Sequence, residues 1–468
     1  MSKFARRLND ADTMFLHVGA AAGTPIGPVG VSVLDGPVPM ETRLRYLELM
    51  FQSFPNGRSR IVRDRFSTAL PRWVDIPGDE PADHVQHLDP PGDGTYRAVL
   101  DWVEEWAIQP FPEDRSPWRY VFFDGVMVDG EPRTVTVMQS HHAFTDGEGG
   151  KRQAARMLKL FESVPGGELP EPDPRDPLEV IGPAARWVEG WREELKHLGA
   201  TAKAVGTRAA WAAREPKAAA KRARDIWASV QLLRGSMGTD VTSPLLHRRS
   251  TRLQLDHLEV DIPALKAGAN SVGGTVNDGF LAAIALGLRQ WHLDHGVELP
   301  HIRTSMAVNL RDAKDDSAGN NMIAVILKLP LDTDDPAELV RRCGELSRAH
   351  RKETDTMRLM RLGQKIGNRL PQKMIEGITR KNMGGMDVQL SNLIGNQGPR
   401  VTMGRTILKG APFPVGTMSG LAVIMVSRSV RTDLGMITDP EAVTDRGHFV
   451  ACIEEGFHRI AAIAAEVD

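Results

Sequence analysis

Cysteine is nearly missing from this chain: Cys343 and Cys452 are the two in 468 residues, and they form no CxxC pair. That excludes a disulfide-dense secreted framework and argues against a zinc site built on paired cysteines; a single structural bridge stays compatible. Long apolar runs are missing too. The most continuous one, GFLAAIALGL at 279–288, spans ten residues, about half of what a bilayer requires. The N-terminal MSKFARRLNDADTMF carries basic residues with no apolar segment behind them. A secretory signal is therefore not expected, and the expected compartment is the cytoplasm. The formal net charge of −2 gives no global attraction to nucleic acid. No repeat of the solenoid kind is visible.

What remains is an ordinary globular composition, 41% hydrophobic and 25% charged, long enough for two or three domains and a large core. VGVSVL near residue 30, RWVDI and the pair RYVFFDGVMV and RTVTVMQS read as strands, the last two joined by a Gly-containing turn at Asp129–Gly130. Residues 39–53 and 96–108 have helical spacing, with Trp102 and Trp106 on one face. Residues 151–163 are a further helix expectation. In the second half LQLDHLEVDI, IRTSMAVNLR, NNMIAVILKLPL, DVQLSNL, GLAVIMVSRSV and LGMITD read as strands, and NNMIAVILKLPL is apolar enough to be central. TVNDGFLAAIALGLRQWHLDHG, 335–378 and 446–466 read as helices. The mixture suggests α/β layers in two domains: residues 1–180, a basic helical linker at 181–250, and residues 251–468.

The linker has its own character. From Lys196 to Arg234 nine basic residues face only Glu215 and Asp225 as acids, and tryptophans lie at 187, 191, 211 and 227. Abundant alanine favours helix, which Pro216 should divide. Such a segment suits an interfacial membrane or droplet helix; it equally suits a solvated helix bridging two domains.

The stretch TVTVMQSHHAFTDGEGG at 134–150 carries the chemistry. A half-buried strand ends in His141 and His142, and glycines then break regular structure. If extended geometry persists, the two rings point to opposite faces, and one of them is placed to act as a general base. A metal site is a poorer reading, because no third ligand sits at metal spacing beside them. A histidine pair satisfied in a buried turn is the bland alternative.

HHAFTDG fits an HHxxxDG motif, and other segments follow in order: NDADTMFLHVG, RSPWRYVFFDG, TVNDGFLAAIALGLRQW, AVNLRDAKDDSAGNNM and QLSNLIGN. Together they resemble the bacterial wax ester synthase/diacylglycerol acyltransferase family, over about residues 9–465. The resemblance implies two chloramphenicol-acetyltransferase-like domains with the active site at their interface. It implies an acyl-CoA-dependent O-acyltransferase acting on a long-chain alcohol or diacylglycerol, with acyl-CoA as co-substrate, no cofactor and no metal. His142 would be the general base and His141 its support. Asp146 would orient His142 or, the favoured role, brace the turn against Arg311. Gly147 would let the chain turn beside the channel. Asn277 would hydrogen-bond substrate or the histidine pair, and Asp278 would cap its helix. Ser391 or Asn392 would donate to the oxyanion.

Two segments depart from the family pattern: SNLIGN lacks both of its prolines, and Ser-Pro-Trp at 116–118 stands where relatives often have Pro-Leu-Trp. These put the loop shape and the tunnel in doubt, not the base. Two alternatives stay open: a condensation-type enzyme acylating a specialised alcohol or amine, and a lipid-surface protein with a degenerate site.

Overall fold

The computed structural model describes residues 7–53, 56–63, 70–144, 182–222, 242–309, 322–351, 372–395, 400–416, 418–427 and 432–467, with isolated positions between them. The first half contains α1 (Asp10–Ala22), β1 (Gly27–Leu34), α2 (Met40–Ser53), β2 (Ser59–Val62), β3 (Arg72–Asp75), β4 (Val85–Leu88), α3 (Tyr96–Trp106), β5 (Trp118–Val128) and β6 (Glu131–Ser140). Helix α4 (Pro183–Arg214) leads to β7 (Gln254–Val260), α5 (Ile262–Ser271), α6 (Val276–Asp294), β8 (His301–Asn309), β9 (Met322–Pro330) and α7 (Pro336–Arg351). The chain then forms α8 (Gln372–Met383), β10 (Val388–Ile394), β11 (Val401–Thr402), β12 (Arg405–Val415), β13 (Leu421–Ser427), β14 (Thr432–Thr438) and α9 (Arg446–Val467). The helix expected at 151–163 lies outside the described residues.

Local chemistry sets several boundaries. Asn9 caps α1 by accepting from the Asp12 amide at 2.7 Å, and Gly23 ends that helix at φ 72°. The β5–β6 hairpin turns through Asp129 and Gly130, at φ 52° and 84°. Two successive left-handed residues match the twist of the flanking strands.

Two six-stranded sheets form the frame, in the orders β11-β12-β1-β6-β5-β4 and β7-β14-β13-β10-β8-β9. Side-chain alternation sorts them into layers. On β5, Val121 and Phe123 join Val29, Val31 and Val137 in a core that also takes Leu255, Ala422 and Ile437 from the second sheet. Tyr120 and Phe122 point the other way, into a cluster with Tyr46, Leu47 and Phe144. The far face of the second sheet packs on α5, α6, α7 and α9 through residues such as Leu390, Val423, Phe280 and Ile453. Sheets and helices in layers are the α/β architecture expected.

The sheets do not divide at residue 250. β12, from the second half, pairs antiparallel with β1 from Gly27↔Val415 to Leu34↔Ile407. Pro412 and Pro414 lie in this strand, and they conceal it from a sequence reading. They are tolerated because β11 covers only the start of β12, at Arg405 and Thr406. Over its last residues one edge of β12 needs no ladder donor. β9 also departs from expectation. It closes the second sheet as an edge strand beyond β8. Its apolar character serves helices instead: Leu327 and Leu329 are buried in the helix-covered core.

Polar contacts also bind the halves. Glu104 of α3 accepts from the Leu255 amide at 2.8 Å and from Arg446 at 2.9 Å. Arg97 donates to the Leu255 carbonyl at 2.8 Å, and Arg446 grips Asp256 at 2.9 Å.

Helix α4 runs for 32 residues. Glu189 reaches the buried Arg72 at 3.4 Å. The helix stops at Arg214 and resumes at Pro216, so the proline divides it as expected. No single helix among the described residues is long and apolar enough to cross a membrane. The α5–α6 pair reaches that composition together but bends by 94°, and Phe280, Leu281, Ile284 and Leu288 are wholly buried in the core.

The sheets approach closely at Gly435, where a Cβ would sit 1.7 Å from the Pro412 carbonyl oxygen. Gly435→Ala must push β14 from β12. It is expected to destabilise the protein by about 1–3 kcal/mol, read as a lower urea midpoint at unchanged m-value. An unchanged midpoint would show that the sheets are not in contact there.

Candidate active site

β6 delivers the histidine pair, and the backbone of its neighbours holds the pair in place. The His141 amide donates to the Pro117 carbonyl at 2.9 Å, and the His142 amide donates to the Ile26 carbonyl at 2.9 Å. The chain then tightens into a 3-10 turn over His142–Phe144. Gly27 is required by this closeness: a Cβ there would lie 1.9 Å from the Ser140 carbonyl oxygen.

Extended geometry ends before His142, and the two rings meet different neighbours. His141 turns toward Phe111, at a centroid distance of 6.5 Å, and its Nδ1 accepts from the Ala143 amide at 3.1 Å. A nitrogen that accepts carries no proton, so the neutral ring holds its proton on Nε2. His142 lies flat against Phe15 of α1, with centroids 3.7 Å apart and planes 15° apart. Burial pushes the His141 pKa down to about 4, with the neighbouring His142 lowering it further. Burial also holds His142 below the ordinary imidazole value, opposed by a backbone hydrogen bond. Both rings are neutral at pH 7, the state in which an imidazole accepts a proton.

In the second half, a further polar pair stands at the start of α6. Asn277, in the first turn of α6, lies beside Asn392 of β10, whose Nδ2 reaches Asn277 Oδ1 at 3.5 Å. Ser427 of β13 donates to Asn392 Oδ1. Asn277 Nδ2 is buried with no hydrogen-bond partner among the described residues. Such a donor is costly to leave unpaired and is ready for an incoming oxygen. Ser391 is the neighbour of Asn392 on β10, so alternation places its side chain on the other face. Asp278 completes a capping box: its Oδ2 accepts from the Thr275 amide at 2.9 Å and the Thr275 hydroxyl at 2.8 Å. Asp146, Gly147 and Arg311 lie outside the described residues.

Helix α1 touches both halves. It packs on the 3-10 turn of the histidine pair and on α8, which precedes β10. Sequence reading singled out no residue of α1. Phe15 gives no chemical signal of its own, since stacking becomes visible only when the fold brings the two rings together. His17 on the same helix is 1% exposed. Burial and then the charge of Arg63 push its pKa down to about 4, against Glu376.

Histidines with depressed folded pKa values make stability pH-dependent with a fixed sign. The unfolded chain takes up protons near pH 6.5 that folded His17 and His141 refuse until about pH 4. Stability is full above that window and falls as pH drops through it. The urea midpoint should be lower at pH 5 than at pH 7; equal midpoints would mean that these imidazoles are hydrated.

Comparison with known proteins places this geometry. The model for the wax ester synthase/diacylglycerol acyltransferase catalytic domain matches residues 8–280, and the WS/DGAT C-terminal domain matches residues 318–461. A Mycobacterium tuberculosis H37Rv protein, provisionally named a diacylglycerol O-acyltransferase, is 27% identical over 466 residues, covering 96% of this chain and 90% of that one. The solved wax ester synthase/diacylglycerol acyltransferase from Marinobacter aquaeolei VT8 superposes with a TM-score of 0.62 at 15% identity, covering 98% of this chain and all of that one. The first condensation domain of the calcium-dependent antibiotic synthetase superposes at 0.58 and 15% identity, covering 100% of this chain and 97% of that one. A variant of the starter condensation domain of rhizomide synthetase, in complex with C8-CoA and Leu-SNAC, superposes at 0.57 and 14% identity over 98% of this chain and 94% of that one. At these identities the superpositions establish the fold.

Proposed function

Because this chain belongs to the wax ester synthase/diacylglycerol acyltransferase family, we propose that it moves an acyl group from acyl-CoA to the hydroxyl of a long-chain alcohol or diacylglycerol, with His142 as the general base. The products are a wax ester or triacylglycerol, and free CoA. The observation that carries the choice of base is the fixed tautomer of His141. Its Nδ1 is occupied by the Ala143 amide, so the accepting nitrogen of that ring is already engaged, and the role of base is assigned to His142.

His142 takes the hydroxyl proton as the oxygen attacks the thioester carbonyl. The C–S bond then breaks, and the proton passes to the departing CoA thiolate. The balance closes with no covalent acyl-enzyme and no cofactor; acyl-CoA is the co-substrate. The Phe15 ring fixes the plane of the His142 imidazole. Asn277 Nδ2, buried and unpartnered among the described residues, suits the oxyanion, with Asn392 holding the Asn277 carbonyl away from it. In this reading Asp146 and Arg311 brace the turn and Gly147 keeps the channel open.

The test is CoA release by the purified protein from palmitoyl-CoA with hexadecanol or dioleoylglycerol. His142→Ala should lower the rate about 10²–10⁴-fold while the circular dichroism spectrum stays unchanged; full activity would remove His142 from the mechanism. Because burial lowers the His142 pKa, the acid limb of kcat/KM should lie below pH 6.5. The condensation-type alternative, favoured by the superposition on condensation domains, predicts CoA release only with a specialised alcohol or an amine.

Helix α4 supports a contact with a lipid surface. Trp187, Trp191 and Leu195, spaced four apart on one face, are 50%, 44% and 65% exposed. Arg192, Lys196 and Lys203 beside them are exposed cations. Indoles seat at the headgroup boundary while cations meet anionic lipid. In liposome flotation with anionic phospholipid, replacing Trp187, Trp191 and Leu195 together by alanine should reduce the floated fraction several-fold. Undiminished flotation would exclude this face.

A further inference from the structure

The far end of α6 carries a second cluster of chemistry-bearing side chains. Asp294 ends α6, while His448 and Cys452 lie one turn apart on α9. One ligand atom from each of the three falls within 4.8 Å of the others. His448 Nε2 lies 2.8 Å from Asp294 Oδ2 and 3.7 Å from Cys452 Sγ. Tetrahedral coordination with metal–nitrogen bonds of about 2.0 Å and metal–sulfur bonds of about 2.3 Å separates nitrogen from sulfur by roughly 3.5 Å. The nitrogen and sulfur thus stand close to two corners of such a site, while the His448–Asp294 contact is a hydrogen bond that would open from 2.8 Å to roughly 3.3 Å as both turned to a shared cation.

The surroundings orient its parts. Cys452 is buried, whereas the His448 and Asp294 side chains are 47% and 33% exposed. The site therefore has an open side for entry and for a fourth, solvent ligand. Asp445 accepts from the Trp291 indole at 3.1 Å and meets His295 Nε2 at 3.4 Å. These contacts anchor the loop leading into α9. The site is remote from Asn277, which stands at the opposite end of α6, about 25 Å away along a helix rising 1.5 Å per residue.

We propose that Asp294, His448 and Cys452 bind a thiophilic divalent cation of the zinc class and clip the end of α6 to the start of α9. Binding replaces the proton on Cys452 Sγ with a metal–sulfur bond and releases that proton to solvent. The His448 ring proton moves to Nδ1, leaving Nε2 as the ligand atom. The Asp294 carboxylate supplies an anionic oxygen, so one thiolate and one carboxylate neutralise the dication.

The probe is Co2+ added to the full-length, chelator-treated protein. One equivalent should produce a thiolate-to-cobalt charge-transfer band in the near ultraviolet, and Zn2+ should displace it. Cys452→Ser should abolish the band, and His448→Ala should weaken Co2+ binding at least tenfold. Cys343→Ser should leave the band intact, because Cys343 is wholly buried elsewhere in the core. Zn2+ should also raise the thermal midpoint of the wild-type protein but not of His448→Ala, whose replaced side chain is exposed and whose fold is checked by circular dichroism. Absence of the band, or a band that survives Cys452→Ser, would overturn the proposal.

Discussion

The passage of β12 from the second half of the chain into the first sheet is the constraint on which the rest depends. Its ladder with β1 places Val415 opposite Gly27, and β1 in turn pairs with β6, the strand that ends at the histidines. The register of the catalytic strand is therefore referenced to a strand more than 250 residues away in sequence. Slipping that pairing by one residue would turn every side chain of β1 to the wrong layer. The first half cannot complete this sheet alone, and the contact between Gly435 and Pro412 brings the second sheet against the first at the same strand.

That arrangement brings elements of both halves toward the histidine strand: β12 pairs with β1, and α1 packs on the 3-10 turn and on α8. β6 leads into His142, the proposed base, whose neutral state is favoured by burial. In the second half Asn277, at the start of α6, meets Asn392 of β10, which in turn accepts from Ser427. α1 lies against the base and against α8. The histidine pair is held by backbone hydrogen bonds and the start of α6 by its capping box; under the proposed mechanism, polar groups fixed in this way would meet a substrate without rearranging. The wide polar network of Arg97, Glu104, Asp256 and Arg446 plays a mechanical part at the rim, because removing one member would strand a half-buried charge.

Much of this was legible from residues alone, and the exceptions have physical reasons. Alternating or continuous apolar runs announced β5, β6, β8, β10, β13 and β14, since burial on one or both faces imposes the pattern. Pro412 and Pro414 hid β12, because proline argues against a strand unless the partner edge is known to be open. NNMIAVILKLPL looked central, yet β9 is an edge strand; apolarity reports cover by helices, and it does not report neighbours on both sides. That His141 and His142 meet different neighbours followed only loosely from period-two geometry, because His142 opens a 3-10 turn. The tautomer of His141 did not, because it rests on the Ala143 amide folding back in a turn.

Proximity across the fold is what a linear reading cannot recover, and this holds for both ends of α6. At its start, the Asn277–Asn392 contact joins residues 115 apart. At its end, Asp294 meets His448 from 154 residues away, so no spacing rule for metal ligands would have paired them. α6 is rigid and buried along most of its length, and it fixes both groups relative to the second sheet. A cation at Asp294 would tighten the helix that carries Asn277 without touching the acyl-transfer chemistry. If both proposals hold, α6 would serve stability at one end and catalysis at the other, and a change at one end would be felt at the other only if α6 moved as a body against α9.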